Sequence, residues 1–218
     1  TIAGWLYLPF YLIILNLLLQ LANEKFSLGM SALTINIAYF AINLAATLLI
    51  FHGFLRQSYF GGSFWNFVQA MVLGFALYYA GTWVLQFALT KLAPGFTIYN
   101  NETVGSLISD NEYIMMAVTI ILAPVIEETL VRGLVFGSIR PTSRVMAYIV
   151  SVVLFTLMHN WQYFLLYPAG KVLLSCIPYL PASVALAWTY EKAGTIWAPI
   201  TLHALINALS FGLLQLNF

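Results

Sequence analysis

The sequence predicts an all-α fold, a polytopic transmembrane helix bundle of about seven to eight spans around a polar intramembrane cavity. Three observations predict it. Of the 218 residues, 62% are hydrophobic and only 7% charged, against about 25% charged in an ordinary soluble domain. Apolar stretches of about 20 residues, enough to cross a hydrocarbon core of about 30 Å, recur along the chain. The few ionisable side chains inside those stretches cluster instead of scattering. So little charge cannot solvate an exterior, so residues 1–218 read as one membrane-embedded domain with the lipid bilayer as its surroundings. A net charge of +1 points away from nucleic acid and other polyanions as partners.

The elements follow in order. Residues 2–21 form the first span, closed by Asn23-Glu24-Lys25. Thr1 opens the chain with no basic n-region and no small-residue cleavage site, so this stretch is expected to span and not to act as a signal peptide. Residues 31–54 form the second span and end before Arg56-Gln57-Ser58, and Gly61-Gly62-Ser63 makes a turn. Residues 65–92 form the third, with Trp65 and Trp83 placed as amphipathic rings are near interfaces. Asn100, Asn101, Glu102, Asp110 and Glu112 break the apolar pattern over 94–112, which predicts the longest extramembrane loop, with room for a short helix.

Residues 113–140 form the fourth span, 145–159 the fifth, 171–191 the sixth, interrupted by Pro178 and Pro181, and 195–216 the seventh. Proline is tolerated in such helices where neighbours satisfy the freed carbonyls. Seven spans place Arg56, Arg140, Arg144 and Lys192 on one side and Lys25, Lys91 and Lys171 on the other, which favours the amino terminus inside. Cys176 is the one cysteine; it allows no internal disulfide, and its apolar setting predicts an inert buried thiol.

The ionisable residues inside the apolar helices carry the functional information, because a charge at the bilayer centre costs about 2.5–3.5 kcal/mol even on insertion scales. Glu127, Glu128 and Arg132 fall in the middle of the fourth span. Glu128 and Arg132, four apart, share a face and can pair; a buried pair fixing helix packing would account for those two alone. Glu127 is turned by about 100° from Glu128 and is left without a partner on its own helix, the setting of a general base. Phe155 and His159 end the fifth span one turn apart, and His203 and Asn207 share a face of the seventh. A lone histidine on an apolar helix is usually a satisfied core residue, but two of them with an asparagine and an unpaired carboxylate each need partners that the bundle hardly offers. His52, at the end of a span beside Gly53 and Arg56, reads as interfacial.

In order and spacing, Glu127-Glu128-xxx-Arg132, Phe155-xxx-His159 and His203-xxx-Asn207 resemble the three motifs of the CPBP family, the CAAX proteases and bacteriocin-processing enzymes formerly called Abi. The resemblance covers about residues 113–210, and its members commonly carry eight spans. It implies an intramembrane endopeptidase similar to the type II CAAX prenyl endopeptidases, acting on a peptide or protein at or in the membrane. In that scheme Glu127, aided by His159, activates a water, His203 and Asn207 donate hydrogen bonds to the oxyanion, and Glu128 with Arg132 holds the first carboxylate in place.

Two questions stay open from the residues. Glu127, His159 and His203 are a two-histidine, one-carboxylate set, sufficient for catalytic zinc, although the usual His-Glu-x-x-His mark is absent; a metal-free glutamate-type site is the favoured expectation. A non-catalytic role as a membrane partner, a bacteriocin immunity protein or a sensor-kinase adaptor, is the alternative function. A transporter relay would call for related halves or paired broken helices, and the sequence shows neither. The small apolar chain points to a prokaryotic plasma membrane. Nothing in the residues selects among lipidated tails, leader peptides and transmembrane substrates.

Overall fold

The computed structural model describes residues 1–215, and the expected end of the last span near Leu216 lies outside the described residues. The helices are α1 (Ile2–Lys25), α2 (Ala32–Phe60), α3 (Phe64–Leu92), α4 (Tyr99–Asp110), α5 (Glu112–Ile139), α6 (Arg144–Met158), α7 (Ala169–Ala193) and α8 (Trp197–Gln215). Five of them, α1, α2, α3, α5 and α7, are long and apolar enough to cross a membrane; α6, at 15 residues, is shorter. No strand occurs among the described residues. The protein is an all-α, multi-pass integral membrane bundle.

Local chemistry sets most of the boundaries. The Ser31 hydroxyl accepts from the Thr34 N–H at 3.1 Å, Asn111 Oδ1 from the Ile114 N–H at 3.1 Å and Ser143 from Met146 at 3.3 Å, each satisfying an amide that the first turn leaves unpaired. Gly194 ends α7 at φ +69°, where its N–H donates to the Tyr190 carbonyl, the left-handed cap that glycine adopts without strain. The polar segment before α5 is the amphipathic α4, which buries Tyr99, Leu107 and Ile108 and exposes Glu102 and Asp110.

Two kinds of departure from a regular α-helix shape the bundle. α7 changes to a 3-10 turn over Ile177–Tyr179, beside the two prolines that interrupt its ladder. α1 and α5 widen to π turns, at Phe10–Ile14 in the first and at Ala117–Leu122 and Thr129–Phe136 in the second. In α5 these flank the α-helical turn Ala123–Glu128, so both carboxylates sit between two widened segments.

Polar side chains tie the helix ends together. At one end of the bundle the Thr195 hydroxyl donates to the Ser58 carbonyl at 2.8 Å, and the Trp197 indole N–H donates to the Leu55 carbonyl at 3.1 Å. There too Arg140, Arg144 and the Tyr148 hydroxyl converge on Glu191. At the other end Tyr99 stacks on Tyr167 with centroids 4.0 Å apart, and Asn160 Oδ1 accepts from the Ser175 hydroxyl at 2.8 Å. These contacts dock α4 onto the segment after α6 and that segment onto α7. Lipid-facing side chains such as Trp83 and Leu49 remain exposed, and so does His52.

α3 crosses tightly against α7 at Gly74. A Cβ on Gly74 would lie 2.1 Å from the Thr189 Oγ1 and 2.9 Å from a Leu202 methyl, and Thr189 is buried and β-branched, with little freedom to move. Small residues at such crossings let the backbones approach where no hydrophobic effect drives them together. Gly74→Ala is expected to lower stability by about 1–3 kcal/mol through overpacking, seen as a lower midpoint in thermal or denaturant unfolding in detergent.

Candidate functional site

The ionisable residues that the sequence places in separate spans converge in the interior. Glu127 is 6% exposed, Glu128 and Arg132 are fully buried, and His203 is 4% exposed. The helical turn Ala123–Glu128 aims the two carboxylates in different directions, and each meets a different histidine.

Glu128 forms the structural half. Its Oε1 accepts from Arg132 Nη1 at 2.9 Å and from His203 Nδ1 at 2.8 Å. Arg132 Nη2 donates to the backbone carbonyl of Ser183 at 2.9 Å and lies 3.1 Å from its hydroxyl, and the guanidinium sits 4.4 Å from the Phe155 ring centroid, a cation–π contact in a desolvated place. One charge pair thus joins α5, α7 and α8, with Phe155 of α6 packed over it. Buried ions require this degree of pairing. The four-residue spacing that predicts the Glu128–Arg132 pair is borne out.

Glu127 forms the other half. Its Oε2 lies 3.7 Å from His159 Nε2, and its Oε1 lies 3.5 Å from the Tyr11 hydroxyl of α1. His159 caps the end of α6, where its Nδ1 is 2.8 Å from the Phe155 carbonyl. A carbonyl only accepts, so Nδ1 carries a hydrogen, and in the neutral tautomer Nε2 faces Glu127 as an acceptor. The imidazole is held between Phe155 and Tyr179, with both centroids 4.7 Å away. The Tyr179 hydroxyl in turn donates to Asn101 of α4 at 3.3 Å.

Asn207, one turn beyond His203, donates from Nδ2 to the Thr119 carbonyl at 2.7 Å. The reason lies in α5. In the π register of Ala117–Leu122 the Ala123 N–H reaches the Val118 carbonyl, and the next bond would come from residue 124 to Thr119. Residue 124 is proline and has no N–H; Asn207 supplies the missing donor.

The zinc set expected as the alternative is divided between the two halves. Glu127 lies against His159, whereas His203 turns its Nδ1 to Glu128, and among the described residues no three His, Cys, Asp or Glu side chains gather as a metal site. The donor set does not fit a three-ligand zinc centre. Cys176 is buried and in no disulfide.

Tyr11, Ser183 and Tyr179 are contacts that sequence reasoning missed. Tyr7 and Tyr11, one turn apart in an apolar span beside Pro9, were the available sign of the first. Ser183, two residues after Pro181, was the sign of the second.

Residues 109–209 match a family model described as type II CAAX prenyl endopeptidase Rce1-like. That stretch of the chain is similar to the Rce1-like family. It contains all six motif residues, from Glu127 to Asn207, so the resemblance read from their spacing is borne out over this stretch. Within the curated proteins, 88 residues are 33% identical to UPF0177 protein YxdF of Lactococcus lactis subsp. lactis (strain IL1403), over 40% of this chain and 42% of that relative. The match thus spans less than half the length of the curated relative. No solved structure matches. The Rce1-like stretch runs from the end of α4 into α8, and α1 to α3 lie outside it.

Proposed function

We propose that the chain is an intramembrane endopeptidase of the CAAX type, hydrolysing a peptide bond of a membrane-associated or lipidated peptide or protein with a water activated by Glu127 and His159. One observation carries this: a buried carboxylate oxygen, with no hydrogen bond among the described residues, lies 3.7 Å from an imidazole nitrogen whose partner nitrogen is committed to the Phe155 carbonyl. With the ring neutral, two acceptors face each other and neither can donate to the other. Such a pair suits one small donor held against both, a water whose proton passes to Glu127 as its oxygen attacks a carbonyl, and then to the leaving amine.

His203 and Asn207 supply the oxyanion donors in this scheme. Asn207 keeps one of its two Nδ2 hydrogens beyond the Thr119 bond, and His203 donates from Nε2 when both ring nitrogens carry protons. Glu128 and Arg132 hold His203 and the carboxylate-bearing turn in place. The similarity of residues 109–209 to the Rce1-like family supports the assignment, and the bacterial relative supports a prokaryotic plasma membrane as the location. The substrate at the membrane is the partner that this chemistry requires.

No resident metal takes part in this mechanism. The test is cleavage by the purified chain in liposomes, with prenylated and unprenylated peptides, before and after chelation and with bound zinc measured. Cleavage that persists in metal-free protein is the expected result. Activity lost on chelation and restored by zinc would overturn the metal-free assignment, and no cleavage of any membrane-associated peptide would remove the endopeptidase one.

A further inference from the structure

The first two helices lie outside the Rce1-like stretch, yet they reach its unpaired carboxylate. Tyr11 of α1 is 4% exposed and donates its hydroxyl to Glu127 Oε1 at 3.5 Å, the one described hydrogen bond that Glu127 receives. The placement is built from several sides. The Tyr11 backbone carbonyl accepts from the Tyr39 hydroxyl of α2 at 2.7 Å, and the two rings lie 5.7 Å apart. One turn earlier, the Tyr7 hydroxyl donates to Asn43 Oδ1 at 2.6 Å. Gly4 sets the approach of α1 to α5: a Cβ there would come within 2.7 Å of Phe51 and 3.1 Å of Leu134.

The ring of Tyr11 packs in a cluster with Ile126 and Leu130 of α5, and phenylalanine would serve that packing equally well. The hydroxyl is what packing does not explain, since a polar group buried in an apolar bundle is unfavourable unless it is paired. Its place in the π turn Phe10–Ile14, just after Pro9, adds to the case, because such widened turns turn a side chain out of the regular helical face and recur at functional sites.

We propose that Tyr11 is a positioning residue for Glu127, its hydroxyl holding Oε1 so that Oε2 stays turned to His159. The kinetic consequence rests on the endopeptidase function proposed above; the hydrogen bond itself does not. Tyr11→Phe removes the hydroxyl and keeps the ring, and Tyr11→Leu removes both.

Two readouts test this in the full chain in detergent or liposomes. In peptide cleavage, Tyr11→Phe should lower kcat by about tenfold with KM unchanged, and lower the unfolding midpoint less than loss of the whole ring does. Tyr11→Leu should lose kcat to a similar degree and lower the midpoint further. In labelling by dicyclohexylcarbodiimide, an apolar reagent that adds to carboxyl groups, Tyr11→Phe should speed adduct formation at Glu127, because the oxygen that the Tyr11 hydroxyl now covers is left open to the reagent. The adduct is located by peptide mass, with Glu127→Gln as the blank. Wild-type kcat and wild-type labelling in Tyr11→Phe would overturn the proposal. If wild-type protein cleaves no peptide, the endopeptidase function fails, and the labelling rate still decides on Tyr11: faster labelling upholds the bond, and an unchanged rate rejects it.

Discussion

Glu127→Gln is expected to lower kcat for peptide cleavage by about a factor of 10²–10⁴, the range that a positioned general base contributes, with the protein folded and eluting as wild type in detergent. The amide keeps the size of the side chain and its contact with Tyr11, but it cannot take a proton from water. His159→Ala should fall in the same range, since it removes the facing acceptor while Phe155 and Tyr179 remain on either side. Because both residues handle one water, the double variant should be little worse than either single one. Single-turnover cleavage of a quenched fluorescent peptide in liposomes measures this. Wild-type rates in both single variants would exclude the catalytic assignment. A cellular protective role that survives Glu127→Gln would place the biological function in binding, as the immunity-type alternative holds.

The second large effect concerns stability. Glu128→Ala strips the partner from a guanidinium that is 0% exposed, leaving Arg132 with Ser183 and the Phe155 face alone. Loss of one member of a buried pair costs about 3–5 kcal/mol, much of it the burial of the remaining charge. Glu128→Ala should therefore unfold at markedly lower denaturant than wild type, whereas Glu128→Leu combined with Arg132→Met, which buries no charge, should recover most of the loss. The double variant should still lack activity, because His203 loses the Glu128 oxygen that orients it. Unfolding titrations in mixed micelles separate the two outcomes: a double variant as unstable as Glu128→Ala would argue against an ion pair as the source of the effect.

The helical spans and the identity of the polar cluster were legible in the sequence because both follow from periodicity. Twenty apolar residues mark a span, and a four-residue separation puts Glu128 and Arg132 on one face. The matching of each histidine to its carboxylate was not legible. Glu127 and Glu128 differ by about 100° around the helix, so a small axial rotation decides which one His159 meets, and the π turns on either side of Ala123–Glu128 change that rotation without a mark in composition. The bond from Asn207 to Thr119 had a sign, Pro124, but reading it required knowing that the register was π and not α. Tyr11 was hidden for another reason: an aromatic residue in an outer span reads as packing or as an interface anchor, and only its neighbour in space gives the hydroxyl a purpose.

The widened turn over Ala117–Leu122 holds one residue more than an α-helical turn of the same rise needs. Removing one residue there would let the ladder close in ordinary register and leave the carboxylates facing as they do, with Pro124 still leaving one carbonyl without an amide donor. Removing one from the turn that follows, before Glu127, would swing Glu128 into the direction that Glu127 now takes and Glu127 into that of Ile126, so that neither acid meets its histidine. Length variation in this helix is thus tolerable on the amino-terminal side of the proline and ruinous a few residues later, which makes the position of a gap, more than its size, the thing to watch when related chains are aligned.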